Sequence, residues 1–136
     1  MTTTTATTER LLEAIASAEI GDDLFAPDVT LDATVPGWRF PVKGAAAVRD
    51  QFRTWFADPG AFEELRRHAI EAGEVVEFTL VWEEDGVPFA AHQVHVLEFD
   101  RASDRIAAVR SWCGGRWNAT ELAKMEAAAR QSGHAG

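Results

Sequence analysis

At 136 residues and 46% hydrophobic content, the chain is sized for one domain with a core and a small cavity, and its apolar runs are too short for a membrane span. Against 22 Asp and Glu stand 13 Lys and Arg, a formal charge of −9 with no basic stripe to offset it, which argues against a nucleic-acid partner. The single cysteine, Cys113, excludes an internal disulfide and a cysteine-built zinc cage, and the opening MTTTTATTER lacks the basic and apolar regions of a secretory signal, so a cytoplasmic location is expected.

Residues 1–6, a threonine-rich start, are expected to fray, after which Leu11, Leu12, Ile15 and Ala18 recur at helical spacing between Glu9 and Glu19. The helix stops near Gly21-Asp22-Asp23. DVTLDATV, from Asp28 to Val35, alternates strictly between apolar and polar residues and reads as a half-buried strand. Pro36-Gly37 turns the chain into a short strand, Trp38 to Lys43, whose Pro41 suits a sheet edge. Gly44 opens a second helix, with Val48, Phe52, Trp55 and Phe56 on one side and Asp58-Pro59-Gly60 as its stop.

FEELRRHAIEAG fits a helix by propensity, yet Glu64, Arg66, His68 and Ile70 also fit one face of a strand. The strand is preferred because Ala72-Gly73 then becomes a hairpin turn into EVVEFTLVWEE, which alternates Val76, Phe78, Leu80 and Trp82. Two further strands follow, Val87 to Phe99 and Arg105 to Cys113. A last helix starts after Gly114-Gly115, where Asn118 and Glu121 have capping-box spacing, and the tail 132–136, with His134, is expected to be disordered. Helix, strand pair, helix and a run of antiparallel strands make an α+β pattern.

His92 and His95 would share a face on a helix and could hold a metal together. On a strand, their odd separation sends them to opposite faces, so no metal site is expected.

The element order, the segment APDVTLDATVPGWRFPVKGAAAVRDQF, the long hairpin EEDGVPFAAHQVHVLEFD and the ending RIAAVRSW resemble the nuclear transport factor 2-like cone fold over roughly residues 9 to 117. SnoaL-like proteins and ketosteroid isomerases are the relatives it is most similar to. The resemblance implies one domain over 1–136 with a curved mixed, mostly antiparallel sheet wrapped around helices, a central apolar pocket and a homodimer formed through the sheet.

From Gly86 to Phe99 the hairpin resembles that of the isomerases without a gap, which gives His95 the place of their inward oxyanion-hole aspartic acid. Gln93 and Leu97 then also point in. Carried to the neighbouring strands, the register turns Val109, Ser111, Cys113, Phe78, Leu80 and Trp82 inward, with His68 near the mouth if its segment is a strand. The isomerases' catalytic base lines up with Ala33, one position past Asp32, so Asp32 faces the pocket only if a bulge intervenes. Their catalytic tyrosine is absent, since the sequence contains no Tyr and the matching position is about Ala14. Their second helix is reduced to DDLFAP.

The candidate acid/base pair is therefore His95 with Asp32, and the candidate pocket wall is Trp38, Trp55, Phe78, Trp82, Gln93, Leu97, Val109, Ser111, Cys113 and His68. The plainer alternative for His95 is a buried histidine hydrogen-bonded to Gln93, Ser111 or a water. Arg39, Arg66 and Arg110 read as surface ion-pairing residues, any one of which could instead meet an anionic substrate group at the mouth. The function expected from this is cofactor-free isomerase, cyclase or hydrolase chemistry on a small apolar or aromatic organic ligand, with no metal. A non-catalytic ligand-binding protein and an association domain using the outer sheet face are the alternatives.

Overall fold

The computed structural model describes residues 2–131. In chain order its elements are α1 (Thr2–Ser17), β1 (Phe25–Val35), β2 (Trp38–Lys43), α2 (Ala45–Trp55), β3 (Gly60–Ile70), β4 (Gly73–Glu84), β5 (Val87–Asp100), β6 (Arg105–Asn118) and α3 (Ala119–Gln131). The six strands form one curved sheet in the order β2-β1-β6-β5-β4-β3. Every neighbouring pair is antiparallel except β1 with β6, so the sheet is mixed and mostly antiparallel, as the α+β reading expects.

One face of the sheet is the core face. Leu31, Ala33, Val76, Phe78, Leu80, Leu97 and Val109 lie on it and pack against Leu11, Leu12 and Ile15 of α1, Val48 and Phe52 of α2 and its C-cap Phe56. Full burial of a phenylalanine of this kind is worth about 2–3 kcal/mol, which makes α2 the main apolar cover of the sheet. No helix among the described residues is long and apolar enough to cross a membrane.

Four local features differ from the sequence reading. α1 begins at Thr2 rather than near Glu9, and it is pinned where fraying was expected to end: Thr7 donates to the Asp104 carbonyl at 3.0 Å and Thr8 to Glu74 at 2.6 Å, both threonines being buried. The expected disorder at 132–136 falls outside the described residues. DDLFAP forms no helix; its Asp22, Asp23 and Leu24 make a turn and the rest is the start of β1.

The segment FEELRRHAI is indeed strand, but its alternation breaks. Glu63 lies opposite Thr79 and Arg66 opposite Glu77, so β3 carries one extra residue at the left-handed Glu64 (φ 56°). This bulge brings Arg67, not His68, onto the inner face opposite Val76. There Arg67 grips the buried Glu74 through two hydrogen bonds, 2.6 and 3.1 Å, and reaches Glu9 of α1 at 3.8 Å.

β6 runs on to Asn118 instead of stopping at Cys113. Gln93 faces Cys113 but Ala91 faces Arg116, so β6 also has an extra residue, at Gly114-Gly115. Gly115 sits at φ 121°, a conformation that glycine adopts without a side-chain clash. The capping box forms at the start of α3: the Asn118 and Glu121 backbone N–H groups each donate to the other's side chain at 3.0 Å. α3 itself buries no residue and lies over the outer face, with Leu122 beside His92, Val94 and Trp117.

Candidate functional site

Where the C-terminal end of α2 meets the ends of β1, β4, β5 and β6, the core opens into a cavity of about 370 Å³. Its wall is mainly apolar, from Val35, Trp55, Phe56, Leu80, Trp82 and Ala91, with Thr34, Thr54, Gln93, His95, Ser111, Cys113 and Arg116 as the polar or ionisable members.

The polar centre follows from strand geometry. Gln93 and His95 are two apart on β5 and so share the inner face, while the register of β5 with β6 sets Ser111 directly opposite His95. His95 Nδ1 lies 2.6 Å from Ser111 Oγ and Nε2 lies 2.8 Å from Gln93 Oε1. An amide oxygen only accepts, so Nε2 carries the proton, Nδ1 is the acceptor and the Ser111 hydroxyl donates to it. The Gln93 amide N–H groups have no partner among the described residues and are left for the cavity. So is the remaining acceptor capacity of Ser111 Oγ.

The imidazole is boxed by rings. Phe78 stacks on it at 5.5 Å between centroids with a 20° tilt, and Phe52 of α2 and Phe56, its C-cap, approach to 6.0 and 6.3 Å. Only 1% of His95 is exposed, and burial lowers its pKa from 6.5 to about 4, because the box offers no charge to stabilise an imidazolium. At neutral pH it is a fixed, uncharged bridge between Ser111 and Gln93.

Arg116 stands at the rim, a residue missed in the sequence. The Gly114-Gly115 bulge turns it inward with Ala91, where its guanidinium lies 5.4 Å from the Trp82 ring and 5.5 Å from Phe89 and pairs with Glu84. Glu84 also accepts the Trp82 indole N–H at 2.8 Å. A Gly-Gly pair inside an otherwise apolar-alternating strand was the available signal. The half-buried Cys113 is directed at the Gly115 carbonyl, 3.9 Å away.

Several expected site residues are elsewhere. β1 pairs with β2 in unbroken register from Thr30 to Val35, so no bulge rescues Asp32, which faces outward into a bidentate pair with Arg39 at 2.9 and 2.6 Å. The Arg39 hydrogen bond holds its carboxyl below the usual aspartate range, far from the cavity's chemistry. Trp38 is 69% exposed at the β1–β2 turn, stacked edge-on against Phe40. His68 is exposed because of the β3 bulge. Phe78, Leu97 and Val109 are packed in the core rather than on the cavity wall. Trp55, Trp82, Gln93, His95, Ser111 and Cys113 do line it. His92 is on the outer face, bonded to Thr79 at 2.8 Å and Glu77 at 2.9 Å, so the two histidines share no site.

Neither a protein-family model nor a curated protein sequence matches the chain. Its backbone, however, superposes with a TM-score of 0.65 on a Bacillus subtilis protein provisionally described as an isomerase, at 15% identity over 82% of this chain and 86% of that one. An NTF-2 like protein of unknown function from Burkholderia xenovorans LB400 gives 0.62, at 16% identity over 82% and 83%. The chain has the nuclear transport factor 2-like fold. At the position where the resemblance to the isomerases puts a carboxylate base, this chain has Ala33, fully buried opposite Ser111. Its polar chemistry is concentrated instead on β5 and β6.

Proposed function

We propose that the chain binds a mostly apolar organic molecule in this cavity and carries out cofactor-free proton transfer on it, as in isomerase, cyclase or hydrolase chemistry. The observation that carries the reading is the hydrogen-bonded chain Ser111–His95–Gln93 at the wall of a mainly apolar cavity. A substrate proton passes to Ser111 Oγ as the serine hydroxyl proton moves to His95 Nδ1; the imidazolium so formed stays bonded to Gln93, and the reverse transfer returns a proton to another substrate atom. A base this weak needs the developing negative oxygen to be stabilised, and the unpartnered Gln93 amide N–H groups supply a donor for it. Asp32, which faces outward to Arg39, has no part in this scheme. The setting belongs to the proposal as expected from the sequence: cytoplasmic, homodimeric and without a nucleic-acid partner.

The test is solvent exchange at carbon. With 2-tetralone, a flat bicyclic ketone with acidic C–H groups, in heavy water, proton NMR is expected to show protein-dependent deuterium uptake, lowered by about 100-fold or more in Ser111→Ala and in His95→Ala. Uptake unchanged in both variants would remove the chain from the mechanism.

A second reading, ligand binding without turnover, is favoured by one observation: burial has taken the His95 pKa down to about 4, and no carboxylate lines the cavity among the described residues. Saturable 2-tetralone binding with no exchange in the wild type is the outcome that selects it.

A further inference from the structure

Of the described side chains on the cavity wall, Arg116 alone carries charge at neutral pH, since burial keeps His95 neutral. Resting on the small-molecule reading of the cavity, we infer that Arg116 is the docking point for an anionic oxygen group of the ligand, a carboxylate in the simplest case, so that the ligand is an amphipathic acid with its apolar body between Trp55 and Trp82.

Three observations support this. The backbone is built to put the arginine there: without the extra residue at Gly114-Gly115, strand alternation would send position 116 to the outer face with Arg110 and Trp112. Bulges of this kind re-aim side chains beside binding sites. The guanidinium also lies over the rings of Trp82 and Phe89, which are themselves stacked at 5.8 Å and 15°, so part of the side-chain freedom is already lost before binding. Finally, its fork is only partly engaged. One terminal nitrogen donates to Glu84, and the remaining N–H groups have no partner among the described residues. An arginine fork with an open edge matches a carboxylate's two oxygens.

The acidic surroundings set the limit on affinity. Asp58 and Glu84 line the groove that continues from the cavity, and the whole chain carries a charge of −9. Glu84 competes directly for the guanidinium, but it keeps the Trp82 indole N–H as a donor when Arg116 turns to a ligand. Acids in which a sizeable apolar body offsets this repulsion are therefore the ones selected.

The probes are 2-naphthoate and its methyl ester, which share one ring system and differ in charge, with affinity read by calorimetry and by quenching of tryptophan fluorescence. In the wild type naphthoate binds about tenfold more tightly than the ester, the value of one charge-assisted hydrogen bond, and the preference shrinks as salt is raised. Arg116→Gln brings the ratio of the two dissociation constants to about one, and Glu84→Gln raises the preference for naphthoate above the wild-type ratio. Arg116→Lys, a second variant that keeps charge without the fork, gives an intermediate ratio. Ester binding with no preference for naphthoate, or a preference that survives Arg116→Gln in a folded variant, overturns the assignment of Arg116 and leaves the pocket standing. If neither probe binds, the cavity reading itself fails and the assignment falls with it.

Discussion

Arg67 and Arg116 are two arginines turned to the inner face by the same device, one extra residue in a strand, with opposite results. Arg67, three residues past the β3 bulge, arrives beside a buried carboxylate and becomes part of the framework, tying β3 to Glu74 of β4 and Glu9 of α1. Arg116, just past the β6 bulge, arrives at the rim, where Glu84 meets only part of its fork and the rings of Trp82 and Phe89 lie against its face. A bulge decides where a side chain points; the donors and acceptors already waiting there decide whether it becomes structure or is left to meet a ligand.

The inner face tolerates charge only where it is met by a partner, and His95 gives the largest measure of that intolerance. The unfolded histidine takes up its proton near pH 6.5, whereas the folded one resists until about pH 4. Between those values the unfolded state binds more protons, so stability is complete above pH 6.5 and falls as pH drops toward 4, by on the order of 3 kcal/mol. Urea unfolding of wild type and His95→Gln across that window is expected to differ by this slope. Parallel pH profiles would mean that the imidazole is far wetter than its ring box implies.

The next effect comes from Arg67. Burial pushes the Glu74 carboxyl up, but the hydrogen bonds from Arg67 and Thr8 outweigh it and leave the pKa lowered. Arg67→Met strips Glu74 of its charged partner and is expected to cost about 2 kcal/mol in urea unfolding at pH 7, reduced from the full buried-pair value because Arg67 is partly exposed. The double variant Arg67→Met, Glu74→Leu is expected to regain part of that loss, since an apolar pair does not need the salt bridge although the buried Thr8 hydroxyl loses its acceptor. No recovery in the double variant would show that the pair does more than satisfy itself. The same single substitution is expected to leave naphthoate preference intact, which separates the framework arginine from the rim arginine.

The difference between the two bulges also governs what could be read from sequence. β5 was legible because it is regular where it matters: Gln93, His95 and Leu97 are 8, 1 and 0% exposed, alternating with half-exposed His92, Val94 and Val96. Register from the hairpin then turned Ser111 to the same inner face, and the strand pairing sets it opposite His95. Alternation fails one residue past a bulge, and Glu64, a non-glycine residue at positive φ, gives no local warning; His68 was misplaced for that reason. Gly114-Gly115 did give one, but a strand end and a strand bulge look alike in sequence. The threonine run at the start of α1 has poor helix propensity, and tertiary hydrogen bonds from Thr7 and Thr8, invisible locally, overrule it.

Arg39 supplies the third and smallest term. Its pair with Asp32 is as well formed as that of Arg67 with Glu74, two hydrogen bonds at 2.9 and 2.6 Å, yet it stands in solvent on the outer face with the arginine side chain 71% exposed. Water replaces either partner at little cost, so geometry alone overstates what the pair does. Asp32→Asn is expected to change neither the urea midpoint nor 2-tetralone exchange nor naphthoate binding beyond experimental error. Loss of exchange in that variant would break the division between the two faces, because an outward carboxylate at a register position opposite Pro41 and Arg110 has no route to Ser111 or His95 except through the sheet.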